Sequence, residues 1–166
     1  PKTYTLTRLP SITSLRSLRA FASASAASDA FTGFGDPVLK RGADVKKGFE
    51  IIDLYRGNLG NVERIRAMSE LPDTSKELQT IAKFLNVSDD NLYLRERATE
   101  TNVKSIDLSN SKVISFGTHG LIAGEITGLA EPALVLTPPE TGSTEDDGLL
   151  TASEITQLNL NADWIL

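Results

Sequence analysis

Hydrophobic positions along the 166-residue chain change their spacing several times, and each change marks an element. Tyr4 and Leu6, with Leu9 beyond them, alternate with polar residues in the period-two pattern of a short strand, which Pro10 stops. Ser11 then opens a helical stretch in which Ile12, Leu15 and Leu18 recur at helical intervals. Ala22 to Ser28 is a run of alanine and serine without a large apolar group and reads as a loop. Phe31 and Phe34, set among Gly33, Gly35 and Pro37, predict a strand over 30–36 that ends in a turn. Lys40 to Lys47 is basic and polar, a surface connection. Phe49, Ile51, Ile52, Leu54 and Tyr55 stand too close together for period to separate helix from strand, and the stretch from there to Glu70 reads as helical.

From Leu71 onward the pattern is sharper. Thr74 followed by Glu77 is the spacing of a capping box, and Leu78, Ile81, Ala82 and Leu85 trace one face of the helix behind it. Leu92 to Leu94 predicts a strand, Thr99 a cap for a helix carrying Val103 and Ile106, and Val113 to Phe116 a buried strand that Gly117 ends. Ala133 to Thr137 predicts another strand, stopped by Pro138 and Pro139. Thr151 and Glu154 repeat the capping-box spacing before Ile155 and Leu158, and Ala162 to Leu166 predicts a last buried strand. Strands alternating with helices imply an α/β sandwich with a largely parallel sheet.

At 40% hydrophobic and 23% charged residues the chain can bury a core of its own, and its length suits one domain. No apolar run approaches the roughly 20 residues of a membrane-spanning helix, so no membrane role is expected. The first residue is Pro1, and the native start is expected upstream of it. Net charge is -5, which argues against a nucleic-acid partner, but its distribution says more than its sum. All 17 lysines and arginines lie at or before Lys112, whereas residues 113–166 carry eight acids and no base. That acidic half is either a solvated surface or a site for a cationic group.

Zero cysteines and a single histidine exclude a disulfide framework, a thiolate or multi-histidine metal site, and a cysteine nucleophile within these residues. No metal and no cofactor are expected. Phosphate-binding and dinucleotide glycine motifs are absent, as is a serine elbow. Asp146 and Asp147 could chelate a hard cation, although the spaced acids of a calcium loop are missing. The sharpest signal is Gly117-Thr118-His119-Gly120, directly after the strand Val113 to Phe116. In parallel sheets, ligands and catalytic groups gather at the carboxyl ends of strands, so His119 is expected there, solvent-accessible, with the Gly120 amide beside it as a donor to a developing oxyanion.

Together, Leu71-Pro72 to Glu77, Ala98-Thr99-Glu100, Val113 to Gly120, Glu131 to Leu136 and Asp147 to Ile155 resemble a CHAT domain. Pro10-Ser11-Ile12 and Gly35-Asp36-Pro37 extend the resemblance toward the start of the chain. It implies a caspase-like α/β sandwich with a mostly parallel central sheet, its C-terminal part missing, so that residues 1–166 form a partial CHAT domain. It implies a cysteine endopeptidase in which His119 is the catalytic histidine and Gly120 the neighbouring oxyanion donor. In caspase-type sequences the cysteine follows the histidine by about 50 residues, which puts the nucleophile about three residues beyond Leu166. The chain alone is therefore expected to be inert, and a non-catalytic caspase-like signalling or scaffold module remains the alternative.

The resemblance further implies a protein or peptide substrate, tetratricopeptide repeats upstream and a cytoplasmic setting. It sets the specificity pocket at the carboxyl ends of the core strands, where Asp36, Glu131, Asp146 and Asp147 are expected. With no base after Lys112 to balance these acids, a basic or neutral residue is expected before the scissile bond, Asp36 being the first candidate to touch a cation. Arg41 and Arg95 are the earlier bases that could reach the same pocket.

Overall fold

The computed structural model describes residues 27–39, 62–126 and 128–166, together with Thr13. The strand expected over Tyr4 to Leu9, almost all of the helix after Ser11, the connection Lys40 to Lys47, the dense apolar run Phe49 to Tyr55 and Arg41 lie outside the described residues.

Four strands form a wholly parallel sheet: β1 (Thr32–Pro37), β2 (Leu92–Arg95), β3 (Val113–Gly117) and β7 (Trp164–Ile165), in the order β2-β1-β3-β7. Strand β1 occupies the centre because both of its faces are apolar or small. Phe31 and Phe34 are fully buried, and the glycines between and after them let a helix approach closely. That helix is α2 (Pro72–Phe84), which presents Leu78 and Ala82, one turn apart, to Phe31 and Leu92. A methyl group on Gly35 would lie 2.5 Å from Leu78 Cδ1 and 3.0 Å from the Gly117 carbonyl oxygen. Gly35→Ala is therefore expected to lower stability by about 1–3 kcal/mol through overpacking. A urea midpoint unchanged in that variant would show that Leu78 yields without loss.

The opposite face carries Phe34, Ile114, Val103, Leu108, Leu136 and Leu150. The Phe34 ring stacks on Tyr93 at 5.0 Å and on Phe116 at 5.2 Å, joining three adjacent strands. Helix layers on a parallel sheet make this an α/β sandwich, as the alternating pattern predicts.

The strand expected over Ala133 to Thr137 spans Ala133–Val135 (β5) and belongs to a second, antiparallel sheet with β4 (Gly120–Leu121) and β6 (Leu149–Thr151). No crossover helix separates β4 from β5 among the described residues, so the chain doubles back instead of adding to the parallel sheet. Beneath this small sheet, Leu121, Val135 and Leu149 pack with Leu39 and Ile65, the latter from α1 (Val62–Arg66).

The two capping-box patterns have different outcomes. Thr151 and Glu154 form the full reciprocal pair at the start of α4 (Ala152–Ile155). Thr74 does not cap. Pro72, which needs no hydrogen-bond acceptor, starts α2 one residue after Leu71 and leaves Thr74 inside the first turn. Its hydroxyl donates to the Leu71 carbonyl at 2.7 Å and accepts the Asp36 N–H at 3.0 Å. Thr99 caps α3 (Glu100–Ser105) by accepting the Asn102 N–H, as the sequence predicts.

Strand β7 departs from expectation in burial. Trp164, Ile165 and Leu166 are 66%, 52% and 64% exposed, because among the described residues β7 is the outer strand and pairs with β3 alone. Among the described residues, no helix is long and apolar enough to cross a membrane.

Candidate functional site

The parallel sheet delivers three strand ends to one edge: Asp36 and Pro37 from β1, Arg95 from β2, and Gly117 from β3. His119 lies two residues past the end of β3 and is half-buried rather than fully open. Its loop is anchored on β5 from both sides: the Val135 N–H donates to the His119 carbonyl at 2.9 Å, and the Thr118 hydroxyl donates to the Val135 carbonyl. Gly120, exposed, opens β4 opposite Leu134, and a side chain at that position would meet open space.

The ring of His119 is oriented by a backbone group. Its Nε2 lies 2.8 Å from the Ser69 carbonyl oxygen, in the segment between α1 and α2. A carbonyl oxygen only accepts, so Nε2 carries the proton and Nδ1 of the neutral ring is left with its lone pair. Nothing in the sequence marks Ser69, because the group that matters is its carbonyl, which every residue possesses.

Asp36 sits at the same edge. Its φ of +47° turns the chain sharply at the end of β1, where the register with β2 also shifts. Its side chain, 7% exposed, accepts from Arg95 Nη1 through Oδ1 at 3.2 Å. Arg95, itself at φ +55°, also lies 3.7 Å from Glu70 Oε1. The dipeptide Ser69-Glu70 thus touches both groups, its carbonyl on His119 and its carboxylate on Arg95. These contacts join residues far apart in the chain, and only Asp36, Arg95 and His119 of the set carry a signal in the sequence.

The other acids are engaged elsewhere. Glu131 Oε2 accepts from the Ser153 N–H and hydroxyl at 2.8 and 2.7 Å, tying the approach to β5 to α4. Asp146 Oδ2 accepts from the Thr101 hydroxyl at 2.5 Å, while its buried Oδ1 has no hydrogen-bond partner among the described residues. Asp147 Oδ1 accepts from the Leu149 N–H at 2.9 Å and shapes its own turn. Neither aspartate has a described hydrogen bond to Asp36, Arg95 or His119. Among the described residues, no group of three or more histidines, cysteines, aspartates and glutamates is placed to hold a metal ion.

A charged network not expected from the sequence holds the Asp146-Asp147 loop. Glu100, 1% exposed, accepts the Asp147 and Gly148 N–H groups through Oε2, each at 3.1 Å, and pairs with Lys104 through Oε1. Lys104 also donates to the Glu145 carbonyl and to Glu154 Oε1, both at 2.7 Å. Burial pushes the Glu100 carboxyl up to about 7 against the hydrogen bond from Lys104. Burial acts on Glu154 in the same direction, but hydrogen bonds from Lys104 and Thr151 outweigh it and hold that carboxyl below its ordinary value.

The family model for the CHAT domain matches residues 2–166. No curated protein and no solved structure matches the chain.

Proposed function

Since the chain belongs to the CHAT domain family, we propose that it is the histidine-bearing part of a caspase-like cysteine endopeptidase. The observation that carries this reading is the bond from His119 Nε2 to the Ser69 carbonyl, at the carboxyl edge of a parallel sheet. It keeps one tautomer and one ring orientation and leaves Nδ1 to accept a proton from a thiol. In that role His119 generates the thiolate, then returns the proton to the leaving amine, while the Gly120 amide faces the oxyanion formed between these steps.

The 166 residues hold no cysteine, so in this reading the nucleophile comes from residues outside the sequence and the chain alone is inert. The register of β7 supports its expected position. Leu166 accepts from the Phe116 N–H and donates to the Ile114 carbonyl. Three more residues in the same direction, at about 3.3 Å each, would run alongside Gly117 and Thr118. The pocket takes a basic or neutral side chain before the scissile bond, with Asp36 the acid that meets a basic one.

Lack of a thiol in the sequence favours a second reading, a non-catalytic caspase-like module in which the His119 bond only fastens the β3 loop. The test is a longer protein reading on past Leu166, assayed on a positional-scanning peptide library beside the 166-residue chain. Hydrolysis by the longer protein alone, after basic or neutral residues, is expected. No hydrolysis and no cysteine at that position would favour the module, and a clear preference for aspartate would overturn the charge argument.

A further inference from the structure

We propose that Asp36 is a cation-binding carboxylate already filled from within the chain: Arg95 occupies it until the guanidinium or ammonium group of a bound basic side chain takes its place. The peptide that brings that group rests on the reading above, whereas the exchange at Asp36 stands on geometry.

Burying a carboxylate to 7% exposure is costly without a cationic partner, and Arg95 is its described cation. Yet the hold is light. One nitrogen meets one oxygen at 3.2 Å, in place of the two-pronged grip a guanidinium can offer, and the Arg95 side chain is 41% exposed. Leaving Asp36 does not strand it, because Glu70, 40% exposed, lies 3.7 Å away on the solvent side. Among the described residues, two carboxylates surround this one guanidinium, a balance that draws a second cation in rather than repelling it.

Both residues have left-handed backbone conformations that side chains other than glycine adopt at a cost. These conformations are held by bonds separate from the ion pair. The Asp36 N–H donates to the Thr74 hydroxyl, and the Arg95 carbonyl accepts from the Thr137 hydroxyl at 2.6 Å and from the Ala98 N–H at 3.0 Å. The Arg95 side chain is therefore free to swing while the strand ends stay in place. Exchange also has a route to His119, since Glu70 adjoins the Ser69 carbonyl that orients the ring.

The probe is agmatine, a free alkylguanidinium, and the readout is thermal unfolding against sodium chloride of equal ionic strength. Arg95→Ala should unfold at a lower temperature than the parent, and agmatine at ten times its Kd should raise its Tm by about 3–6 °C. The parent should respond far less, and the double variant Asp36→Asn/Arg95→Ala not at all. An Arg95→Ala response no larger than that of the parent, or an equal response in the double variant, would overturn the proposal. Should Arg95→Ala not fold in plain buffer, recovery on refolding in agmatine supports it, and no recovery while the double variant folds overturns it. No hydrolysis is read, so a protein without peptidase activity gives the same answer. Peptidase activity with no agmatine response would remove the exchange alone.

Discussion

Replacing His119 with alanine, in a protein that reads on through a cysteine after Leu166, is expected to lower kcat/KM for peptide hydrolysis about 100-fold to 10,000-fold. The loss arises because a thiol at neutral pH is mostly protonated, and the lone pair on Nδ1 is the acceptor that the Ser69 bond leaves available. His119→Gln separates proton transfer from shape. Its amide can still donate to the Ser69 carbonyl, but it cannot take a proton, so it should lose as much activity as alanine does. Initial rates on a fluorogenic peptide decide the matter. Activity within threefold of the parent in either variant would end the assignment of His119 as general base.

The second large effect is expected at Lys104, far from that chemistry. Lys104→Met keeps the stem and removes the charge that Glu100 and Glu154 share. A buried glutamate left without its cation should cost about 3 kcal/mol at pH 8, the low end of the range because Lys104 is partly exposed. The pH dependence has a definite sign. Glu100 titrates near 7 in the fold and near 4.5 when unfolded, so the folded chain binds more protons between these values. Its contribution to stability is complete below pH 4.5 and is lost as pH rises to 7. Glu154, held low, acts oppositely, and its contribution falls away only below 4.5. Lys104→Met should therefore approach the parent near pH 5 and diverge steeply by pH 8, and Glu100→Gln in the parent should flatten the slope between 4.5 and 7. Parallel urea midpoints for parent and Lys104→Met across that window would refute the account.

What the sequence disclosed depended on how local each signal is. The Thr151-Glu154 box was legible because both partners lie within one helical turn. The identical spacing at Thr74 misled, since Pro72 moved the helix start and the Asp36 N–H claimed the hydroxyl from 38 residues away. His119 announced itself by its glycines and its strand, whereas its partner is a backbone carbonyl 50 residues distant. Asp36 was legible as an acid at a strand end, but its engagement by Arg95 depends on β1 and β2 being neighbours. Glu131, Asp146 and Asp147 were legible as charge, and what they bind was not, because their partners are amides and hydroxyls that almost any loop can offer. Trp164 to Leu166 read as buried from composition, yet burial of a strand depends on what lies beside it.

The exposure of β7 bears on spectroscopy. Trp164 is the sole tryptophan, and with 66% of its surface open its emission should already be red-shifted in the native state. Intrinsic fluorescence will then register little when the chain unfolds, and unfolding is better followed through the near-ultraviolet dichroism of Tyr93, stacked on Phe34 in the middle of the sheet. The same indole becomes a clean reporter of anything added along the outer edge of β7: a strand laid beside it should shift its emission to the blue while the tyrosine signal stays unchanged.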